Sequence, residues 1–260
     1  MRCFTLGTLV AFGLVLALSP CLAQDGTEEE PKVICDKEFM ILSPGAEQER
    51  IGSWHLKAVE FEDAARIEIT EELSMDYRGK KAGYRSIVTY QSGPPLTPEK
   101  GSAETEIDGQ YCMTGTVEFQ NGTVSLSCVG LLDERTGTKL DPPQTYEKKD
   151  APRPEGTLVF QSCLPAIGPR FIAEEGEIEN VVFVEFPDDI GFRELINFKD
   201  GCRIVRDKPD ADGRYFIRLF SPYSDEPMEE VQYDKDDRPV SISLGELRLV
   251  ELEEEAVETP

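Results

Sequence analysis

The residues able to do chemistry are few. One histidine, His55, stands beside the only tryptophan, Trp54. A hydrolase triad would have to use that imidazole, yet the chain has neither a G-x-S-x-G elbow nor a cysteine-nucleophile signature. Its position within an apparent strand is that of a structural histidine. A metal centre built on several histidines is excluded by the count. The best calcium-like stretch runs from Asp207 to Leu219. Aligning Asp210, Asp212 and Gly213 with the third, fifth and sixth positions of an EF-hand loop puts Lys208 first and Leu219 last, where acids are required. A hairpin turn before the strand Tyr215–Phe220 accounts for it better, and Asp234-Lys235-Asp236-Asp237 has the same character. With 51 acidic residues, a pair of carboxylates for glycoside hydrolysis can be chosen almost anywhere and discriminates nothing. Nothing in the chain calls for a metal or cofactor.

Cysteine usage sets a further limit. Cys35, Cys112, Cys128, Cys163 and Cys202 follow the leader described below, and no pair has C-x-x-C spacing. A zinc ribbon or thioredoxin-type site is unsupported, and an odd count leaves at least one cysteine unpaired.

The elements that must position any site have a period of two. From Arg66 to Tyr77 the odd positions carry Ile67, Ile69, Leu73, Met75 and Tyr77 and the even ones are polar, the pattern of a strand with one buried face. Glu71 interrupts the apolar series. It marks either a β-bulge or an inward carboxylate, and the bulge is the preferred reading. Tyr84–Tyr90 follows as the returning strand. Tyr111–Leu132 is a hairpin about Asn121-Gly122, a two-residue turn whose members tolerate positive φ. That loop pairs Gln120 with Thr123, Phe119 with Val124, Val117 with Leu126 and Gly115 with Cys128. Cys112 then falls on the polar face and Cys128 on the apolar one, so the two should not be joined. Asn121-Gly122-Thr123 is also a glycosylation sequon if the source is eukaryotic. Further strands are expected at Thr157–Ser162, Ile178–Phe186, Arg203–Arg206, Tyr215–Phe220, Glu229–Tyr233, Val240–Leu244 and Leu247–Leu252, with one short helix at Phe192–Lys199.

The fold class is therefore all-β or β-dominated: an antiparallel meander forming a curved half-barrel or a two-sheet sandwich, with at most short helices. Residues 1–23 have the form of a signal peptide, with Arg2, an apolar run from Phe4 to Leu18, and Cys21-Leu22-Ala23 before the cut. A minority alternative makes Cys21 a lipidated N-terminus, although Pro20 does not suit that site. An acidic lead-in (24–31), an N-terminal β region (32–140), a Pro-rich connection (141–156), a C-terminal β-meander (157–252) and an acidic tail (253–260) complete the division. The formal charge of −24 argues against nucleic acid and anionic membranes as partners. No later run is apolar for the roughly 20 residues a membrane helix needs. An extracytoplasmic location, periplasmic or secreted, is expected.

The stretch Gly213–Val250, GRYFIRLFSPYSDEPMEEVQYDKDDRPVSISLGELRLV, resembles the LolA-like periplasmic lipoprotein carriers in its order of strand, polar loop, strand, acidic turn before a proline, and strand. The resemblance implies a curved sheet whose apolar concavity takes acyl chains or a lipidated partner, and it transfers no functional residue.

Three functions follow. The first is a non-enzymatic binding protein holding an apolar or lipid-like ligand, with Ile67, Glu71, Leu73, Met75, Val117, Phe119 and Leu126 on the lining. These side chains would equally form an ordinary core. The second is an envelope or extracellular interaction module that docks another protein by a sheet edge or an acidic face, with no internal cavity and with salt-sensitive binding. A hydrolase is third.

Overall fold

The computed structural model describes residues 30–252 except 46–47, 78, 121, 133–137, 162, 187–195 and 246. The expected leader with Cys21, the sequon residue Asn121 and the acidic tail lie outside the described residues. The first half of the chain forms β1 (Lys32–Leu42), β2 (Arg50–Phe61), β3 (Arg66–Tyr77), β4 (Lys80–Gln91), β5 (Thr97–Ile107), β6 (Gln110–Gln120), β7 (Thr123–Leu132) and β8 (Lys139–Pro152). The second half forms β9 (Thr157–Phe160), α1 (Cys163–Phe171), β10 (Gly176–Glu185), β11 (Asn197–Arg206), β12 (Tyr215–Phe220), β13 (Pro227–Tyr233), β14 (Pro239–Leu244) and β15 (Leu247–Glu251).

All fifteen strands join one sheet in the order β8-β7-β6-β5-β4-β3-β2-β1-β15-β14-β13-β12-β11-β10-β9. The chain starts at the middle and meanders out to one edge, then returns from the other edge to pair β15 with β1. Every pairing is antiparallel except that of β9 with β10. The sheet is curved and open, and alternate side chains of its strands pack with α1 into one hydrophobic core. A β-dominated, curved antiparallel architecture is thus what the alternation implied.

The hairpin of β6 and β7 has the register that the Asn121-Gly122 turn dictates, with Gln120 opposite Thr123, Val117 opposite Leu126 and Gly115 opposite Cys128. Gly122 takes φ of 83°. The acidic turns at Asp210 and Asp234 are hairpin turns. Each aspartate accepts backbone N–H bonds, Asp210 from Asp212 and Arg214 at 2.9 and 2.8 Å, Asp234 from Asp236 and Arg238 at 2.8 and 3.0 Å.

Four expectations are corrected. Glu71 is no bulge: β3 runs in unbroken register with β2 and β4, so the carboxylate points inward. The stretch 141–156 is mostly β8 and not a connection. Its prolines are compatible with a strand because β8 is an edge, and Pro142 and Pro143 fall where the register with β7 shifts. The end of the expected helix, Asn197–Lys199, opens β11, while 192–195 lie outside the described residues. The helix that does occur, α1, is written Leu-Pro-Ala-Ile-Gly-Pro and is kinked at Ile167 (φ −138°) with Pro169 inside. Propensity argues against a helix there, and six buried residues from Cys163 to Gly168 explain why tertiary packing holds it. Finally, Cys112 is buried rather than on the polar face, because a register shift between Thr105 and Glu106 leaves it unpaired with β5.

Candidate functional site

The residues expected to line a concavity do share the inner face. Ile67, Glu71, Val117 and Leu126 are buried there, and Leu73, Met75 and Phe119 are partly buried against the same core. The chain's own second half packs onto that face. Phe160 from β9 meets Phe119 and Tyr90 edge-on, each at 6.1 Å, and stacks on Phe186 at 5.5 Å. Gly101 of β5 makes room for this stack, since a Cβ there would lie 2.7 Å from Phe186. The Tyr90 hydroxyl donates to the Leu158 carbonyl (3.3 Å) and accepts from the Phe160 N–H (3.2 Å), fixing β9 over β4. Alongside, α1 packs against β1, β2, β12 and β14. The Tyr233 hydroxyl donates to the Leu164 carbonyl, and Arg170 forms a two-pronged pair with Glu60 at 2.7 and 3.3 Å.

Besides Glu60, two further carboxyls are buried in this interior, Glu71 and Glu229. Glu71 accepts from the Ser86 hydroxyl at 2.8 Å. Glu229 on β13 is 2% exposed, and neither of its oxygens has a hydrogen-bond partner among the described residues. Burial, and then the Glu71 charge, push the Glu229 carboxyl well above its ordinary range. Burial likewise raises the Cys163 thiol, which is hydrogen-bonded to Tyr90, so it is no nucleophile. All five cysteines named above are buried thiols. Sequence reasoning missed Glu229, although a signal was present: Val231 and Tyr233 set the inward parity of β13, and Glu229 shares it.

The opposite, wet face carries a groove of about 440 Å³ crossing β2 to β6. Its floor follows one cross-strand row, Ser53, Ser74, Gly83 and Glu106, ending at Tyr111. The adjacent row, His55, Glu72, Arg85 and Glu104, forms one wall of longer side chains. Ile51, Asp76 and Lys81 border the other side at the β2–β4 end. Five strands set four interstrand steps of about 4.8 Å, so the trough is roughly 19 Å long.

Its charges are unevenly matched. His55 Nε2 lies 2.8 Å from Asp36, and that hydrogen bond holds the Asp36 carboxyl below its usual value. Arg85 pairs with Glu72 at 3.3 Å. Glu104 and Glu106 have no ion-pair partner among the described residues, and beside them the Tyr111 side chain is 55% exposed. Among the described residues His55 has an acid partner but no hydroxyl or thiol nucleophile bonded to it. Among the described residues no three acid, cysteine or histidine side chains form a metal cluster, and no helix is long and apolar enough to cross a membrane.

No protein-family model matches the chain, and no curated protein does. Its backbone is similar to a crystal structure described as a beta-barrel-like protein of the domain of unknown function DUF1849 from Brucella abortus, with 9% identity, a TM-score of 0.46, and coverage of 85% of this chain and 98% of that one.

Proposed function

We propose that the chain is an extracytoplasmic, non-enzymatic binding protein that docks a basic, extended segment of another protein in the trough across β2 to β6. One contrast carries this reading. The inner face, where an apolar or lipid-like ligand was expected, is occupied by α1 and the Phe160–Phe186 stack, whereas the trough is open and has unmatched negative charge at one end. A trough of roughly 19 Å admits about six residues at ~3.3 Å each. A lysine or arginine near its end meets Glu104 and Glu106 and lies against the Tyr111 ring, where charge attraction and cation–π contact act together. The leader-like residues 1–23 support the location, and the overall acidity supports attraction of basic partners.

Gly83 supplies the decisive variant. A Cβ there would sit 3.4 Å from Glu106 Cβ, an ordinary contact, and the backbone needs no positive φ, so Gly83→Phe fills the trough without straining the strand. Fluorescence anisotropy with a labelled lysine-rich octapeptide should show salt-sensitive binding. Either Gly83→Phe or the double change Glu104→Gln/Glu106→Gln should weaken it about tenfold or more, roughly 1.4 kcal/mol. Binding that survives Gly83→Phe unchanged is diffuse attraction to an acidic protein and ends the docking reading.

A further inference from the structure

The interior carboxyl pair lies on the other face of the sheet from the trough and is independent of any docking there. Glu71 on β3 is the charged group that acts on Glu229, and Glu229 in turn raises the thiol of Cys163 at the start of α1 and the hydroxyl of Tyr233, two inward positions along its own strand. The flanking strands place Leu219 and Leu244 in register with it. No lysine, arginine or histidine is among these groups, and neither Glu229 oxygen receives a donor among the described residues. Such a carboxyl is stable as the neutral acid, whereas its anion would be an uncompensated buried charge beside a second carboxyl.

Relief requires water to reach β13. The strands around it are fixed on both sides by hydrogen-bond ladders. The cover over the inner face is α1, a short helix broken at Ile167 and attached through the Tyr233–Leu164 bond and the Arg170–Glu60 pair. We propose that α1 is a proton-held plug: with Glu229 neutral it seats on the inner face, and when Glu229 gives its proton to solvent α1 lifts, admitting water and uncovering the apolar inner surface of β1, β2, β12 and β14. The step is a single acid dissociation coupled to a local opening, and it needs no co-reactant.

Hydrogen–deuterium exchange of the full chain, followed by mass spectrometry of the peptide spanning α1, tests this. After correction for intrinsic base catalysis, protection of α1 should fall about tenfold per pH unit above the ordinary carboxyl range, the slope for one released proton. Protection of β3 and β13 should stay higher than that of α1. In Glu229→Gln, neutral at every pH, the α1 slope should vanish. Glu229→Met, which removes the polar group at similar volume, should do the same should the glutamine variant fold poorly. An apolar dye should bind the wild type increasingly as pH rises and the variants at a constant level. Protection of α1 that is independent of pH, that keeps its slope in both variants, or that equals the protection of β3 and β13 overturns the plug.

Discussion

Glu229 is buried without a hydrogen-bond partner among the described residues, an environment a carboxylate does not favour, and the consequence has a thermodynamic sign. Its carboxyl has an ordinary value of 4.5 and is raised well above it in the folded chain, first by burial and then by Glu71. Between those two values the folded state keeps a proton that the unfolded state has lost. The stability that Glu229 contributes is therefore greatest below about 4.5 and falls as pH rises, by up to about 1.4 kcal/mol per pH unit for this one proton. Urea unfolding over a series of pH values should show that fall as a difference between the wild type and Glu229→Gln. The Glu229→Gln profile should be flatter by the same slope, and parallel profiles would mean that Glu229 is ionised in the fold. Tyr90 illustrates the opposite case, a buried polar group that is satisfied. Tyr90→Phe leaves the Phe160 N–H and the Leu158 carbonyl without that hydroxyl. The expected loss is about 1–3 kcal/mol in the same urea measurement.

The contact between β9 and the inner face of β5 depends on a missing side chain. Gly101→Ala places a methyl 2.7 Å from Phe186 and 3.0 Å from Phe160, so the aromatic stack must shift. Thermal denaturation should show a destabilisation of about 1–3 kcal/mol, the usual consequence of overpacking. Contacts of this kind leave no local signal in the sequence. Strand periodicity and turn chemistry are local, so β3, β12 and the register of the β6–β7 hairpin were legible from alternation and from Asn121-Gly122. What fills the concavity is not local. A segment with Pro165, Gly168 and Pro169 carries no helical signal, and it becomes α1 because the inner face of the sheet surrounds it. A proline-rich stretch likewise looked like a connection, because whether Pro142 and Pro143 interrupt a ladder depends on β8 being an edge. The trough has the same origin. Ser53, Ser74, Gly83 and Tyr111 are unremarkable one by one, and only the registers of four successive pairings bring them into one row.

At the scale of the molecule, continuity of the sheet determines how the chain should come apart. The proline pattern of the sequence suggests two β regions, 32–140 and 157–252. Yet β15 pairs with β1, with Leu249 opposite Ile41, and residues of both regions share one core cluster. If that cluster acts as one cooperative unit, a defect on one side of the seam must be felt on the other. Leu249, 1% exposed, lies on the C-terminal side, whereas the single tryptophan, Trp54, lies on the N-terminal side, 2% exposed on β2. Leu249→Ala should remove about 2–5 kcal/mol, the range for truncating a buried leucine. The full loss should appear in Trp54 fluorescence, at the same midpoint as the far-ultraviolet circular dichroism of all the strands. If the two regions instead unfold independently, Trp54 will keep its wild-type midpoint while part of the dichroism melts early. Coincident curves would mean that the seam between β1 and β15 transmits stability across the whole sheet. An α1 opening driven by Glu229 would then be a local event within a single cooperative fold.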